Sequence, residues 1–559
     1  MTPLAPPPTP QPAIHLGWVR ATRQSFFLPI DALTRGVHLR GAIGAGKTSV
    51  IRRLLVGRGL GSPFVHFDYI GTGHRELQAW MATMAAARAV AEHTCPELSG
   101  ITAALLRRSA FLTIGDPNPA IRIDLLRRRM LPGGRREHLR DVVSRAVEIL
   151  YVKLNDADAS LRVRFHRIAT ALLTVLAAAE RPIAEGLTLL DDPAYMLFLD
   201  REIASRQFRP SEITFLQHQR AELEHVLRLR PFDPAKSWRA FEDETASTRN
   251  SLADFAPGTV LGSLLNDESL ALEDVVFGQT SLSITNREAE DQQKAKVYQA
   301  VHAMLHALAL HRPDVPALPN LLVVIDEPWW MRRNLPGILA VSRNLGVSYL
   351  VSHQSNAQWE DIGLRSMPQQ LRSLTNLQIT FRPTSFEDAE DDVLHTTELA
   401  PDGFALRFAS VGVGTSNGDV GYSSCDEHEL VSAIGFSDQV RYRAQDVLRR
   451  ARFTGVVTED GEGTEVRFAP APTFPPVVFG VPILDRFRKA HNAFWRSQTI
   501  PRTPYEPHAP IVLLNDTPEP PKLPAPIADA APPPDRPTAP EHRAKHRRRR
   551  GRGGAPDAA

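Results

Sequence analysis

Gly41-Ala42-Ile43-Gly44-Ala45-Gly46-Lys47-Thr48 decides the reading of this 559-residue chain, because it fills every fixed position of the pattern G-x-x-x-x-G-K-[ST]. Its flanks fit the pattern: Gly36-Val37-His38-Leu39-Arg40 reads as a buried strand entering the loop, and Ser49 to Leu55 reads as a helix leaving it. The glycines let successive backbone N–H groups turn toward phosphate oxygens, and the helix start adds the positive end of its dipole. Gly41 to Ser49 is therefore expected to hold a nucleoside triphosphate, with Lys47 on the β- and γ-phosphates and Thr48 on Mg²⁺. The competing reading, a glycine-rich turn before an ordinary surface helix, does not account for a strand and a helix on the two sides.

A second site lies far along the chain. Leu321-Leu322-Val323-Val324-Ile325-Asp326-Glu327 is an unbroken apolar run ending in two acids. Strands covered on both faces read this way, and an open α/β sheet places its ligand at their C-terminal ends. Asp326 is suited to orient the Mg²⁺ shell, and Glu327 to polarise an attacking water. Helical spacing follows at Leu335, Ile338, Leu339 and Leu345, Gly346 stops it, and Val347 to Ser355 reads as another buried strand with Gln354 at its end.

This succession of strand, Asp-Glu, helix, Ser-Arg-Asn-Leu-Gly, strand and Gln resembles the motor domain of the type IV secretion coupling proteins of conjugation, and of the hexameric DNA pumps of the HerA and FtsK kind. The resemblance implies that Gln354 senses the γ-phosphate and that Arg343 reaches a neighbouring subunit's nucleotide. From chemistry alone Arg343 reads as a surface arginine snorkelling near a helix end. Further weak matches are Pro63 to Asp68, which resembles the family's second strand but continues as Tyr69-Ile70-Gly71-Thr72-Gly73, and Ala246 to Leu252 with Leu261 to Asn266. The family further implies ATP and Mg²⁺ as cofactors, DNA as partner, a homo-hexamer, docking of a relaxase–DNA complex or a membrane-anchored secretion partner, and a bacterial cytoplasmic location, peripheral to the inner membrane through such a partner.

The expected fold is α/β: a P-loop NTPase sheet of the RecA/FtsK kind with an all-α inserted domain and a disordered basic C-terminal tail. Thr280 to Thr285, Leu377 to Arg382 and Phe404 to Ala409 read as further sheet strands, and Lys294 to Leu310 as a covering helix. The boundaries drawn are a proline-rich leader at 1–14, the motor at 15–122 and 245–470, the helical insertion at 123–244, an extension at 471–500 and a proline- and alanine-rich tail at 501–559. Within the insertion, Arg135 to Val147 and Leu161 to Ile168 look amphipathic, with arginines on one side that are solvated helix faces or, in part, phosphate contacts.

The net charge of +2 announces no nucleic-acid partner, but its distribution is uneven. Arg543, Lys545, Arg547, Arg548, Arg549, Arg550 and Arg552 form a dense block at the end of the tail, suited to nonspecific phosphate binding or, in the other reading, to solubility or an acidic protein partner. Cys95 and Cys425 are too few for a disulfide framework and lack metal-ligand spacing. No stretch approaches the roughly 20 apolar residues of a membrane helix. The function these readings favour is an ATP-hydrolysing DNA translocase or coupling-protein-like motor. The alternatives are a nucleotide-gated DNA- or protein-binding scaffold, a HerA/FtsK-like pump in DNA processing, and a small-molecule phosphotransferase, for which no acceptor pattern is visible.

Overall fold

The computed structural model describes residues 12–502, with breaks at 60–61, 72, 152–158, 230–238, 287–288, 332–334, 362, 396–411, 417–418, 424–435, 460–461, 472–480 and 501. The strand expected at Phe404 to Ala409, Cys425 and the basic block of the tail lie outside the described residues.

Fifteen strands are described: β1 (Ala13–Val19), β2 (Ser25–Pro29), β3 (Val37–Arg40), β4 (Phe64–Asp68), β5 (Ser109–Ile114), β6 (Met130–Leu131), β7 (Arg135–Arg136), β8 (Ser281–Asn286), β9 (Leu321–Asp326), β10 (Val347–His353), β11 (Leu377–Phe381), β12 (Gly412–Ser416), β13 (Asp419–Ser423), β14 (Thr454–Glu459) and β15 (Glu462–Phe468). Eleven of them form one sheet in the order β2-β1-β15-β14-β11-β3-β10-β9-β4-β8-β5. From β11 to β5 every neighbouring pair is parallel. The glycine loop leaves β3, the acids end β9, and β10 stands between them, which makes this a P-loop NTPase sheet.

Alternation along β9 explains its unbroken apolar sequence. Leu321, Val323 and Ile325 face one core cluster, and Leu322 and Val324 face the other. The second cluster lies under helix α1 (Lys47–Arg58) and helix α2 (Gly73–Thr94), through Val50, Ile51, Leu54, Leu77 and Trp80. The first lies under helix Asp291–Ala309, through Val297, Val301 and Leu305.

The inserted helices run at Leu139–Tyr151, Ala159–Ala178, Glu185–Asp191, Tyr195–Ala204, Pro210–Leu227 and Arg239–Ala253, the last extending past the expected boundary at 244. They are not insulated from the motor: Phe165, Leu172 and Leu199 belong to the same buried cluster as Phe67 and Ile325 of the sheet. Arg135 and Arg136, expected within a helix, instead pair as β7 with β6, and the helix starts at Leu139.

Many of the insertion's arginines are committed internally. Arg128 meets Glu212 at 2.6 Å, Arg145 meets Glu137 at 2.6 Å, Arg167 meets Glu222 at 2.8 Å, and fully buried Arg129 pairs with Glu268. Burial of Arg128, Arg129 and Arg145 is tolerable because each is paired.

Two features depart from the sequence reading at the chain's ends. β1 begins at Ala13, inside the expected leader, and pairs with β15, so that β1, β2, β14 and β15 extend the sheet in antiparallel fashion. Within the extension at 471–500, to which the sequence reading assigns no element, helix Val481–Ser497 buries Phe487, His491 and Trp495, and Trp495 Nε1 donates to Ser109 O at 3.0 Å at the start of β5. Ile500 and Arg502 then tie the chain to Glu268 and Asp124. Among the described residues no helix is long and apolar enough to cross a membrane.

Candidate nucleotide site

The glycine loop is fixed from both sides by the strands that flank β3. Gly41 N–H donates to His353 O of β10 at 3.3 Å, and Ala42 N–H donates to Arg382 O, just past β11, at 2.7 Å. Gly41, Gly44 and Gly46 have φ of 154°, 74° and 128°. At Gly46, the residue just before α1, a Cβ would also lie 2.8 Å from the Phe453 ring, so both conformation and space require glycine there. Ile43, at the tip, is 77% exposed.

Lys47 is buried, and its Nζ donates to Gly41 O at 2.5 Å and Ala42 O at 3.3 Å. Burial lowers its pKa, while the nearby Glu327 and Asp326 carboxylates push it back up. The lysine is thus held over the loop, within electrostatic reach of the acid pair.

Asp326 ends β9 opposite Ser352 of β10 and Asp68 of β4. It is 2% exposed, and burial, reinforced by Glu327 and Asp68, pushes its carboxyl up to about 7 against the opposing pull of Ser352 and Lys47. Asp326 Oδ1 is buried without a well-formed hydrogen bond. A buried, under-satisfied carboxylate oxygen within electrostatic reach of Lys47, the neighbour of Thr48 in α1, is a donor of the kind a small hard cation takes, so Thr48 and Asp326 fit Mg²⁺.

Asp68 is occupied otherwise. Its Oδ1 accepts from Gly71 N–H at 2.9 Å and its Oδ2 from His74 N–H at 3.0 Å, which satisfies the turn and the first residues of α2.

Glu327 takes φ of +60°, a left-handed conformation uncommon for a residue with a side chain, and its N–H donates to Ser352 O at 2.9 Å. Such a backbone costs about 1–3 kcal/mol and persists where the surroundings over-determine it. The turn brings Glu327 Oε1 to Gln354 Nε2, which donates to it at 2.7 Å. Gln354 is therefore beside the acids, at the C-terminal edge of the sheet.

Residues that sequence reasoning missed hold Gln354 in place. Gln358 Oε1 accepts from the N–H groups of Gln354 and Ser355 at 3.3 and 3.1 Å. His353 stacks on His38 of β3 with Nε2 atoms 2.7 Å apart, and its Nδ1 lies 3.2 Å from Ser355 O. Because a carbonyl only accepts, His353 carries its proton on Nδ1, and His38 donates through Nε2. Burial lowers His38 to about 3 and His353 well below its ordinary value, so both rings stay neutral.

Arg40, the residue before the loop, is buried against helix Phe386–His395, where it meets Asp391 at 2.8 Å, Asp388 at 3.7 Å and Asp392. Arg372 and Asn356 share Asp391 at 2.5 and 2.9 Å. A polar residue next to the glycine loop was the only signal of this network; its partners lie more than 300 residues away.

Arg343 is not brought to this site. It forms a 3-10 turn with Asn344 and Leu345 before β10, is exposed, and donates to Asn376 Oδ1 at 3.1 Å. The seven residues of β10 separate it from Gln354, about 23 Å at a strand's rise. Arg343 therefore stands apart from the nucleotide site of its own chain.

No protein-family model matches the chain, and no curated protein matches it. Among solved structures it is similar to the bacterial conjugative coupling protein TrwBdeltaN70, at 14% identity over 83% of this chain and 92% of that one, TM-score 0.43. It is also similar to the plasmid coupling protein TrwB in complex with a non-hydrolysable ATP analogue, at 15% identity over 84% and 95%, TM-score 0.45. VirB4 of Thermoanaerobacter pseudethanolicus follows at 13% identity over 83% and 98%, TM-score 0.43. With scores below 0.5, the chain's own residues and not these likenesses carry the functional conclusion. Fold and site together define a protein with the P-loop NTPase fold.

Proposed function

We propose that this protein is an ATP-hydrolysing motor that moves or recruits DNA, of the kind that serves conjugative or type IV secretion-type transfer. The observation that carries the hydrolase part is the 2.7 Å bond from Gln354 to Glu327, which ties a strained catalytic carboxylate to the strand between loop and acids. A protein that only bound nucleotide would have no need of a buried acid held this way.

The loop N–H groups and the start of α1 receive the phosphates, and Lys47 exchanges its carbonyl partners for β- and γ-oxygens. Thr48 and Asp326 would hold Mg²⁺, which would neutralise charge on the phosphates. Glu327 orients a water and takes its proton as the oxygen attacks the γ-phosphorus and the bond to the β-phosphate oxygen breaks, giving ADP and phosphate. Gln354 fixes the carboxylate and is placed to sense the γ-phosphate from β10. Arg343 of a neighbouring subunit, in a homo-hexamer, would offset charge on the transferring group.

The DNA part rests on the motif order and on the basic block at Arg543 to Arg552, which can neutralise phosphates without reading sequence. The insertion's arginines contribute less to this reading, because many are paired with carboxylates.

ATP turnover measured with and without single- and double-stranded DNA tests the proposal. Turnover that rises with DNA supports the motor; binding of ATP with no turnover in either case favours the nucleotide-gated scaffold. Removal of residues 541–559 is expected to weaken DNA binding and flatten its salt dependence with little change in DNA-free turnover.

A further inference from the structure

Arg449-Arg450-Ala451-Arg452-Phe453 runs from the end of helix Phe436–Leu448 to the start of β14. Because β14 is antiparallel to β11, with Phe381 opposite Gly455, this run lies at the edge of the sheet where the glycine loop emerges. It is bonded to that loop: Phe453 N–H donates to Ala45 O at 2.9 Å, and Phe453 O accepts from Phe468 N–H at 2.7 Å. Phe453 has φ of +61°, the left-handed region again, so the backbone is bent against its preference to bring the ring onto Gly46. The Arg452 guanidinium carbon stands 4.8 Å from the centre of the Phe453 ring. Arg452 is exposed, and among the described residues it has no hydrogen bond or ion pair.

The position of this pair along a bound triphosphate follows from the sheet order. Asp326, Glu327 and Gln354 lie on the β9 and β10 side of β3, and they serve the γ-phosphate. A nucleotide stretched along the loop therefore has its nucleoside end on the opposite side, toward β11 and β14, where Phe453 and Arg452 sit.

The geometry points to Arg452, backed by Phe453, as the nucleobase shelf of this site: the base stacks on the open face of the guanidinium while the ring supports its other face. This rests on the nucleotide-hydrolase reading above and adds to it the residues that receive the base. A guanidinium over an aromatic ring is a flat, cationic platform that attracts the π-face of a base. Stacking grows with the area of the base and is tolerant of its edge groups, so the shelf favours purine over pyrimidine triphosphates and treats ATP and GTP alike.

The test is equilibrium binding of ATP, GTP, CTP and inorganic tripolyphosphate, each with Mg²⁺, to the full chain and to Arg452→Gln, Phe453→Leu and Lys47→Ala. Tripolyphosphate reports the loop alone, and the ratio of ATP to tripolyphosphate affinity reports the shelf. In Arg452→Gln that ratio is expected to fall about tenfold, the size of one stacking or cation–π contact, and the preference for purines over CTP to shrink with it. Phe453→Leu keeps bulk against Gly46 and removes the π-face, and its ratio is expected to fall too. An unchanged ratio in both variants overturns the shelf while leaving the phosphate site standing. Binding of tripolyphosphate that survives Lys47→Ala, or is absent from the unaltered chain, overturns the nucleotide reading itself and the shelf with it.

Discussion

Gln354 donates through Nε2 to Glu327 Oε1 at 2.7 Å, and this single bond joins the end of β10 to the residue just past β9. Both residues are held from behind, Glu327 by its N–H to Ser352 O and Gln354 by Gln358 and the His38–His353 stack. A carboxylate fixed in this way spends little of the reaction's free energy on reorganisation.

Glu327→Gln keeps the side chain's shape and the contact with Gln354 but cannot accept the water's proton. It is expected to bind ATP near the level of the unaltered chain and to lose about 10²–10⁴-fold in turnover. Calorimetric binding alongside phosphate release checks this. Failure to bind ATP would assign Glu327 to metal holding or to structure. Gln354→Ala, which frees the carboxylate, is expected to lower kcat by about ten- to a hundredfold with KM nearly unchanged.

Lys47→Ala removes a buried ammonium whose charge burial disfavours. The unliganded protein is expected to melt within a few degrees of the unaltered chain, since the loop carbonyls that Lys47 engages remain. Saturating ATP at 100 times its Kd stabilises the unaltered chain by about 2.7 kcal/mol, and the variant by none. Thermal melts with and without nucleotide give the answer.

Asp391 carries the pH dependence of the Arg40 network. Arg40 and Arg372 overcome the effect of burial and hold its carboxyl down at about 2. A depressed folded-state pKa contributes stability that is present above the unfolded value near 3.8 and is lost as pH falls through about 2. Asp391→Asn is therefore expected to cost about 2 kcal/mol at neutral pH, a difference that closes between about pH 4 and pH 2. Urea unfolding across this range checks both size and direction; a gap that persists at pH 2 would point to lost packing instead of lost charge.

Arg343 stands at the edge of the sheet away from its own glycine loop. Arg343→Ala is expected to bind ATP normally and to lose turnover only at protein concentrations, or with DNA, at which subunits associate. Mixing it with Lys47→Ala pairs an intact loop from one subunit with an intact arginine from another, and recovered turnover marks action between subunits. Full turnover of Arg343→Ala in the assembled state removes this role.

The residues that define the site were legible because their chemistry is local. The glycine loop carries its own strand and helix, Asp326 and Glu327 end an apolar run that only a doubly covered strand explains, and Gln354 ends the next one. Hydrophobic periodicity located these elements, since each strand's cover is written in its own alternation.

What the tertiary structure alone decided are the relations between residues far apart in the chain. No local pattern announces that Arg40 needs three aspartates from Phe386–His395, that His38 stacks on His353, or that Phe453 bends onto Gly46. Nor do β1 and β15, more than 400 residues apart, show their pairing in either sequence. Hydrogen-bond ladders and buried ion pairs depend on which surfaces meet, and that is settled only when the two faces of the sheet are packed.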